Sequence, residues 1–159
     1  MVRFGGLGVR FMIDGLQTGG TFALVEHPIG PRVLATPMHT HRHEDEYTYV
    51  LEGEVGVQVG DEVRIARPGD LVFKPRNVPH AFWNAGDASA RALEIISPAG
   101  FEQYFREIAP LLSPANDGRL EEEALVAIMA KYGLVMDFES IPVFAERHRL
   151  VADESQPSV

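Results

Sequence analysis

From Val9 to about Ile96, polar and apolar positions alternate in short runs rather than in helical steps. The segments "VRFMI", "TFALVEH", "YTYVLEGEVGVQV", "EVRIA", "DLVFK", "HAFWN" and "RALEIIS" are rich in β-branched and aromatic residues, as strands with one buried face are. Between them stand "QTGG", "PIGP", "GDE", "RPGD" and "NAGDAS", all turn chemistry. "VQVGDEVRIA" predicts a hairpin around Gly60 and Asp61. Many short strands with no helix between them predict an antiparallel sandwich or barrel.

After Ser97 the period changes. "SPAGFEQYFREIAPLL" places apolar or aromatic residues at 101, 104, 105, 108, 111 and 112, which is one helical face. "GRLEEEALVAIMAKYG" predicts a second helix, with acids near its start and Lys131 then Gly133 at its end, as the helix dipole and the C-cap favour. "DFESIPVFAERHRL" predicts a third, shorter one. The chain thus divides into a β domain over 1–97 and helices over 98–150 that pack on it within the same domain. Residues 151–159 read as a disordered tail.

Composition narrows the chemistry. Fourteen Lys and Arg stand against 23 Asp and Glu, a formal charge of −9 that disfavours nucleic acid and anionic membranes. No cysteine is present, so disulfides, thiolate metal sites and cysteine nucleophiles are excluded, and any metal must be held by His, Asp or Glu. The first residues, "MVRFGGLGVRFMIDG", lack a sustained apolar run, so neither a signal peptide nor a membrane anchor is expected there. The expected location is the cytoplasm.

One stretch departs from the strand pattern. "PMHTHRHEDEYTYVLEGE" (37–54) packs three histidines into five residues and follows them with three acids. His39 and His41 are two apart, so an extended strand points both to one face. Glu46 falls out of phase with them, and a turn through "RHED" restores it at the head of the next strand. Thr48 and Val50 share the Glu46 face and are expected, with Phe82, to line a pocket or fill the barrel. Downstream, in "GDLVFKPRNVPHAFWN", His80 opens a strand and becomes the fourth ligand through sheet pairing. Three imidazoles and one carboxylate make a metal shell with room for water or substrate. Two competing readings are a metal-free hydrogen-bond network and a shell with His43 in place of His39. His43, Glu44 and Asp45 otherwise read as a solvated turn, with His43 as a group that tunes the ligands from behind. His27 and His148 read as surface residues. Trp83 points away from His80 and reads as packing. Tyr47, Tyr49 and Leu51 form an apolar outer face that the helices or a second subunit must cover, so a homodimer is expected.

These residues resemble the cupin superfamily, whose first motif reads G-x5-H-x-H-x4-E-x6-G. His39, His41, Glu46 and Gly53 match it in register. The second motif, G-x5-P-x-G-x2-H-x3-N, matches at Gly69, Pro75, His80 and Asn84. Val33 stands where the first glycine would fall, with Gly30 nearby. Asn77 replaces the glycine after the proline, a residue that tolerates left-handed backbone. The chain is similar to small single-domain bacterial cupins of the cupin 2, quercetinase-like type. The resemblance implies an all-β jelly-roll barrel with a C-terminal helical appendage. It also implies one divalent transition metal per chain (Fe, Mn, Ni, Co, Cu or Zn) on His39, His41, Glu46 and His80, and a homodimer. By the same resemblance, Glu46 takes the substrate's hydroxyl proton. The expected activity is dioxygenation of a small oxygen-chelating compound such as a flavonol, diketone or phenol. An isomerase or lyase is less favoured because no second acid or base is evident beside Glu46, and a non-catalytic binding module is the other alternative.

Overall fold

Period-two patterning builds two antiparallel sheets in the computed structural model, which describes residues 1–112 and 122–151. The strands are β1 (Val2–Phe4), β2 (Leu7–Ile13), β3 (Ala23–Ile29), β4 (Val33–His41), β5 (Asp45–Glu52), β6 (Val55–Val59), β7 (Glu62–Ala66), β8 (Leu71–Lys74), β9 (His80–Asn84), β10 (Ala90–Ser97) and β11 (Leu134–Asp137). The helices are α1 (Glu102–Ile108), α2 (Glu122–Lys131) and α3 (Ser140–His148). One sheet runs β1-β2-β3-β10-β5-β8 and the other β11-β4-β9-β6-β7. The architecture is a jelly-roll barrel carrying C-terminal helices.

The expected hairpin forms, with Val59 opposite Glu62. "YTYVLEGEVGVQV" is two strands rather than one, because Gly53 adopts a left-handed φ of 74° and sends β6 into the other sheet. Asn77 keeps the second motif's turn, with φ 63° and its N–H donating to the His41 carbonyl at 2.8 Å. Asn84 ties the far end of β9 to the loops, donating to Gly30 and Ala88 carbonyls at 2.9 and 2.8 Å.

Two strands were not foreseen. β1 is a three-residue edge, and β11 lies between α2 and α3, pairing Leu134 with His41 and Met136 with His39. β11 thus anchors the helical segment to the ligand strand. The beginning of the second expected helix and the tail from residue 152 fall outside the described residues.

The core has three parts. Val50, Val55, Val57, Val72 and Phe82 fill the barrel interior. A second cluster joins Val9, Val25 and Ile96 to Phe101, Tyr104 and Ile108 of the α1 segment. Trp83 is fully buried in the third, under Phe144 of α3, so it packs as expected. His148 is not a free surface residue: its ring stacks on Trp83 at 4.0 Å. The helices leave the outer face of β5 and β8 bare, since Tyr49, Leu71 and Phe73 stay 39%, 53% and 49% exposed. No helix among the described residues is long and apolar enough to cross a membrane.

Candidate metal centre

Sheet pairing explains why the four candidate ligands meet. His39 on β4 is the direct partner of His80 on β9, after two irregularities in register around Thr36 and Pro37. Pro37 has no N–H to give the ladder, which suits it to such a break. Two residues on, His41 points to the same face. Glu46 opens β5 in the facing sheet, after the turn through Arg42–Glu44. The four side chains offer ligand atoms that all lie within 4.8 Å of one another, and every one is buried.

Hydrogen bonds set the ring orientations. His39 Nδ1 contacts the Pro37 carbonyl at 2.9 Å and His80 Nδ1 the Val78 carbonyl at 2.9 Å. A carbonyl only accepts, so each Nδ1 carries the proton and each Nε2 keeps its lone pair. Burial, then the neighbouring His80 and His41, hold His39 well below the usual imidazole range; burial likewise lowers His80, despite the Glu46 carboxylate beside it. Both rings are therefore neutral near pH 7. His80 Nε2 then faces Glu46 Oε2 at 3.1 Å as one acceptor facing another. His41 Nε2 lies 3.4 Å from Glu46 Oε1, and both its ring nitrogens lack a hydrogen-bond partner. Converging lone pairs around a carboxylate fit a divalent metal and leave a metal-free hydrogen-bond network unsatisfied.

Sequence reading missed the charges beside this cluster. Lys74, directly opposite Glu46 on β8, is 1% exposed, and its Nζ lies 2.9 Å from Glu46 Oε2 and 3.0 Å from Glu94 Oε2. Thr48 Oγ1 also donates to Glu94 Oε2, at 2.8 Å, while Glu94 Oε1 has no hydrogen-bond partner. Burial alone would raise Glu46, but the Lys74 ammonium and the His41 and His80 rings outweigh it and hold the carboxyl well below its usual range. Burial pushes Glu94 up to about 7 against the pull of Lys74. The site therefore holds a second acid, contrary to the expectation that Glu46 stands alone. One signal was available: Lys74 and Glu94 occupy the inward phase of strands whose other inward residues, Val72, Ala92 and Ile96, are apolar.

Other expectations need correcting. His43 is exposed, packed against Gly133, and is neither a ligand nor placed behind one. Glu44 is not solvated: it is 6% exposed beside His41. His27 is 3% exposed and reaches the metal cavity, its Nδ1 on the Gly8 carbonyl at 3.0 Å. Phe82 lines that cavity; Thr48 reaches it only through Glu94, and Val50 belongs to the barrel filling.

The cavity is small, about 30 Å³, and is roofed by Phe101, Tyr104 and Phe105, with Phe101 edge-on to His41 at 4.2 Å. A larger chamber of about 140 Å³ lies between barrel and helices. Leu7, Thr36, Tyr104, Phe105 and Met136 line both spaces, and the buried Thr36 hydroxyl has no hydrogen-bond partner.

The cupin-domain family model matches residues 28–96, which contain all four clustered side chains. The chain belongs to the cupin superfamily. This cupin is 34% identical over 91 residues to the tetracenomycin polyketide synthase protein TcmJ of Streptomyces glaucescens, a match covering 56% of this chain and 60% of TcmJ. It spans less than half the length of SchB of Streptomyces halstedii, at 33% identity over 60 residues. Among solved structures, the polyketide cyclase RemF of Streptomyces resistomycificus is 31% identical, with a TM-score of 0.51 over 60% of this chain and 70% of RemF. KdgF of a Halomonas species shares the fold, with a TM-score of 0.55, 18% identity, and coverage of 62% of this cupin and 84% of KdgF.

Proposed function

We propose that this cupin is a metal-dependent enzyme that moves protons on a compact, enolisable, polyketide-like compound, promoting its cyclisation or isomerisation. The observation that carries the proposal is the buried Glu46–Lys74–Glu94 group set against three buried histidines. A divalent metal held by His39, His41, Glu46 and His80 would polarise two adjacent substrate oxygens as a Lewis acid. Lys74 already balances the Glu46 charge, so the metal's charge favours a ligand that brings an anionic oxygen, as an enol or phenol does. Glu94, with an unpaired oxygen and affinity for a proton near neutrality, can give or take that proton, and Lys74 holds it in place. The apolar chamber suits a ring: a cavity of about 150 Å³ accommodates benzene. Sugars would find few hydrogen-bond partners there. The likeness to TcmJ and RemF supports a polyketide-like substrate.

Dioxygenation of the same kind of compound is the second reading. It is favoured by the donor set, which suits redox-active iron, nickel, copper or cobalt as well as zinc. In either case we place the protein in the cytoplasm.

The test uses protein loaded with one metal at a time and an o-hydroxyaryl β-diketone, which closes to a chromone with loss of water. Metal-dependent ring closure without oxygen uptake is the expected result. Stoichiometric oxygen consumption with chain cleavage would replace it by the dioxygenase. Bound metal with neither reaction would leave a binding module.

A further inference from the structure

We infer that Glu44 is the positioning residue for the ligand His41, supplying through its carboxylate what backbone carbonyls supply to the other two histidines. The inference rests on the metal-centre reading above. It starts from an asymmetry among the three rings. His39 and His80 each donate Nδ1–H to the carbonyl two residues upstream, both at 2.9 Å. His41 has no such carbonyl, and its Nδ1 is without a hydrogen-bond partner. Facing that nitrogen at 3.7 Å is Glu44 Oε2.

Glu44 is buried where its place in the chain does not require it. It sits in the short turn between β4 and β5, between exposed His43 and half-buried Asp45, where a carboxyl group could reach water. Asp45 takes Arg76 as its partner, at 2.8 Å. Glu44 instead turns inward, 6% exposed, and its Oε2 is a buried oxygen with no hydrogen-bond partner. Leaving such an oxygen unpaired is costly. The turn is held in shape by Arg42 N–H, which donates to the Gly133 carbonyl at 3.0 Å. His43 lies outside, against Gly133, where a Cβ would come within 2.7 Å of its ring.

The orientation follows. His41 Nε2 faces Glu46, so Nε2 is the nitrogen turned to the metal position and Nδ1 is turned to Glu44. At 3.7 Å the pair is not yet hydrogen-bonded. Drawn in to accept from Nδ1–H when a metal takes Nε2, the carboxylate fixes the tautomer and makes the opposite nitrogen a stronger donor than a neutral carbonyl does. Two ligands are thus braced by dipoles and the third by a charge.

The test measures cobalt(II) and zinc(II) affinity by chelator competition for wild type, Glu44→Ala, Glu44→Gln and the exposed-site control His43→Ala. Thermal unfolding of each metal-free protein is followed alongside. Glu44→Ala is expected to lose about 10–100-fold in affinity, the usual cost of removing such a partner. Glu44→Gln, which keeps an acceptor oxygen but not the charge, should fall between it and wild type, and His43→Ala should match wild type. Metal-free Glu44→Ala should melt no lower than wild type, because it loses an unpaired buried oxygen. That separates bracing from a general structural role. Affinity of both Glu44 variants within about threefold of wild type would overturn the inference alone. So would a loss matched by equal destabilisation of the metal-free variants. Wild type that binds neither metal would overturn it together with the metal-centre reading.

Discussion

Glu46 and Lys74 stand directly opposite each other on β5 and β8 and meet as an ion pair of 2.9 Å, both shut off from water. A buried pair of this kind adds little compared with apolar residues, but removing one partner leaves the other charge uncompensated. Lys74→Met is therefore expected to destabilise the metal-free protein by about 3–5 kcal/mol. Urea unfolding checks this. Adding metal should recover part of the loss, because a dication then faces Glu46 in place of the ammonium. Equal loss with and without metal would contradict that balance.

His27 gives a pH dependence with a definite sign. Burial, with the Lys74 charge adding to it, lowers its imidazole to about 4 against the bond it donates to the Gly8 carbonyl. The unfolded chain takes up this proton near pH 6.5, the folded chain only near 4. Between those values the unfolded state binds more protons, so stability is full above 6.5 and falls as pH drops toward 4. The shift corresponds to roughly 3 kcal/mol. His27→Gln should flatten this part of the profile relative to wild type when metal-free proteins are unfolded at successive pH values. Parallel profiles would show that His27 is not its source.

Most strands and the clustering of His39, His41 and Glu46 were legible because they rest on local spacing. His39 and His41 share a face by the period of two, and Thr48 and Val50 turn inward with Glu46 for the same reason. What escaped depends on pairing between distant strands. Lys74 closes "DLVFK" and looks like an exposed strand end until β8 is laid beside Glu46. Glu94 gains its meaning only when β10 sets it opposite Thr48. β11 is four residues between two helices, too short to stand out by pattern, and pairs with the edge that β4 offers. His27 was expected at the surface, yet the α1 segment covers it, with Phe105 at 5.9 Å.

The chamber beneath α1 can be closed without touching a ligand. Ala35 lines it and is 7% exposed. Ala35→Leu is expected to weaken binding of a naphthol-type probe by about tenfold or more, equivalent to 1.4 kcal/mol or above, as its side chain takes the ring's space. Metal stoichiometry should not change. Calorimetry on metal-loaded wild type and variant makes the comparison. An unchanged affinity would put the ring elsewhere.

The bare outer face of β5 and β8 bears on assembly. Tyr47 and Phe73 stack there at 4.9 Å, and Leu71 and Phe73 lie on β8, the edge of the six-stranded sheet. An exposed apolar edge strand favours pairing with another strand. A second copy of this chain meets it with the same surface, and a twofold axis at β8 would continue the sheet and cover both faces. We therefore propose a homodimer through this edge. Light scattering of the wild type should give the mass of two chains, and Phe73→Lys, which puts a charge on the edge, should give one. Metal content should be the same in both, since Phe73 points away from Glu46 and Lys74. A wild type that stays monomeric at tens of micromolar would mean that the edge is left open in solution.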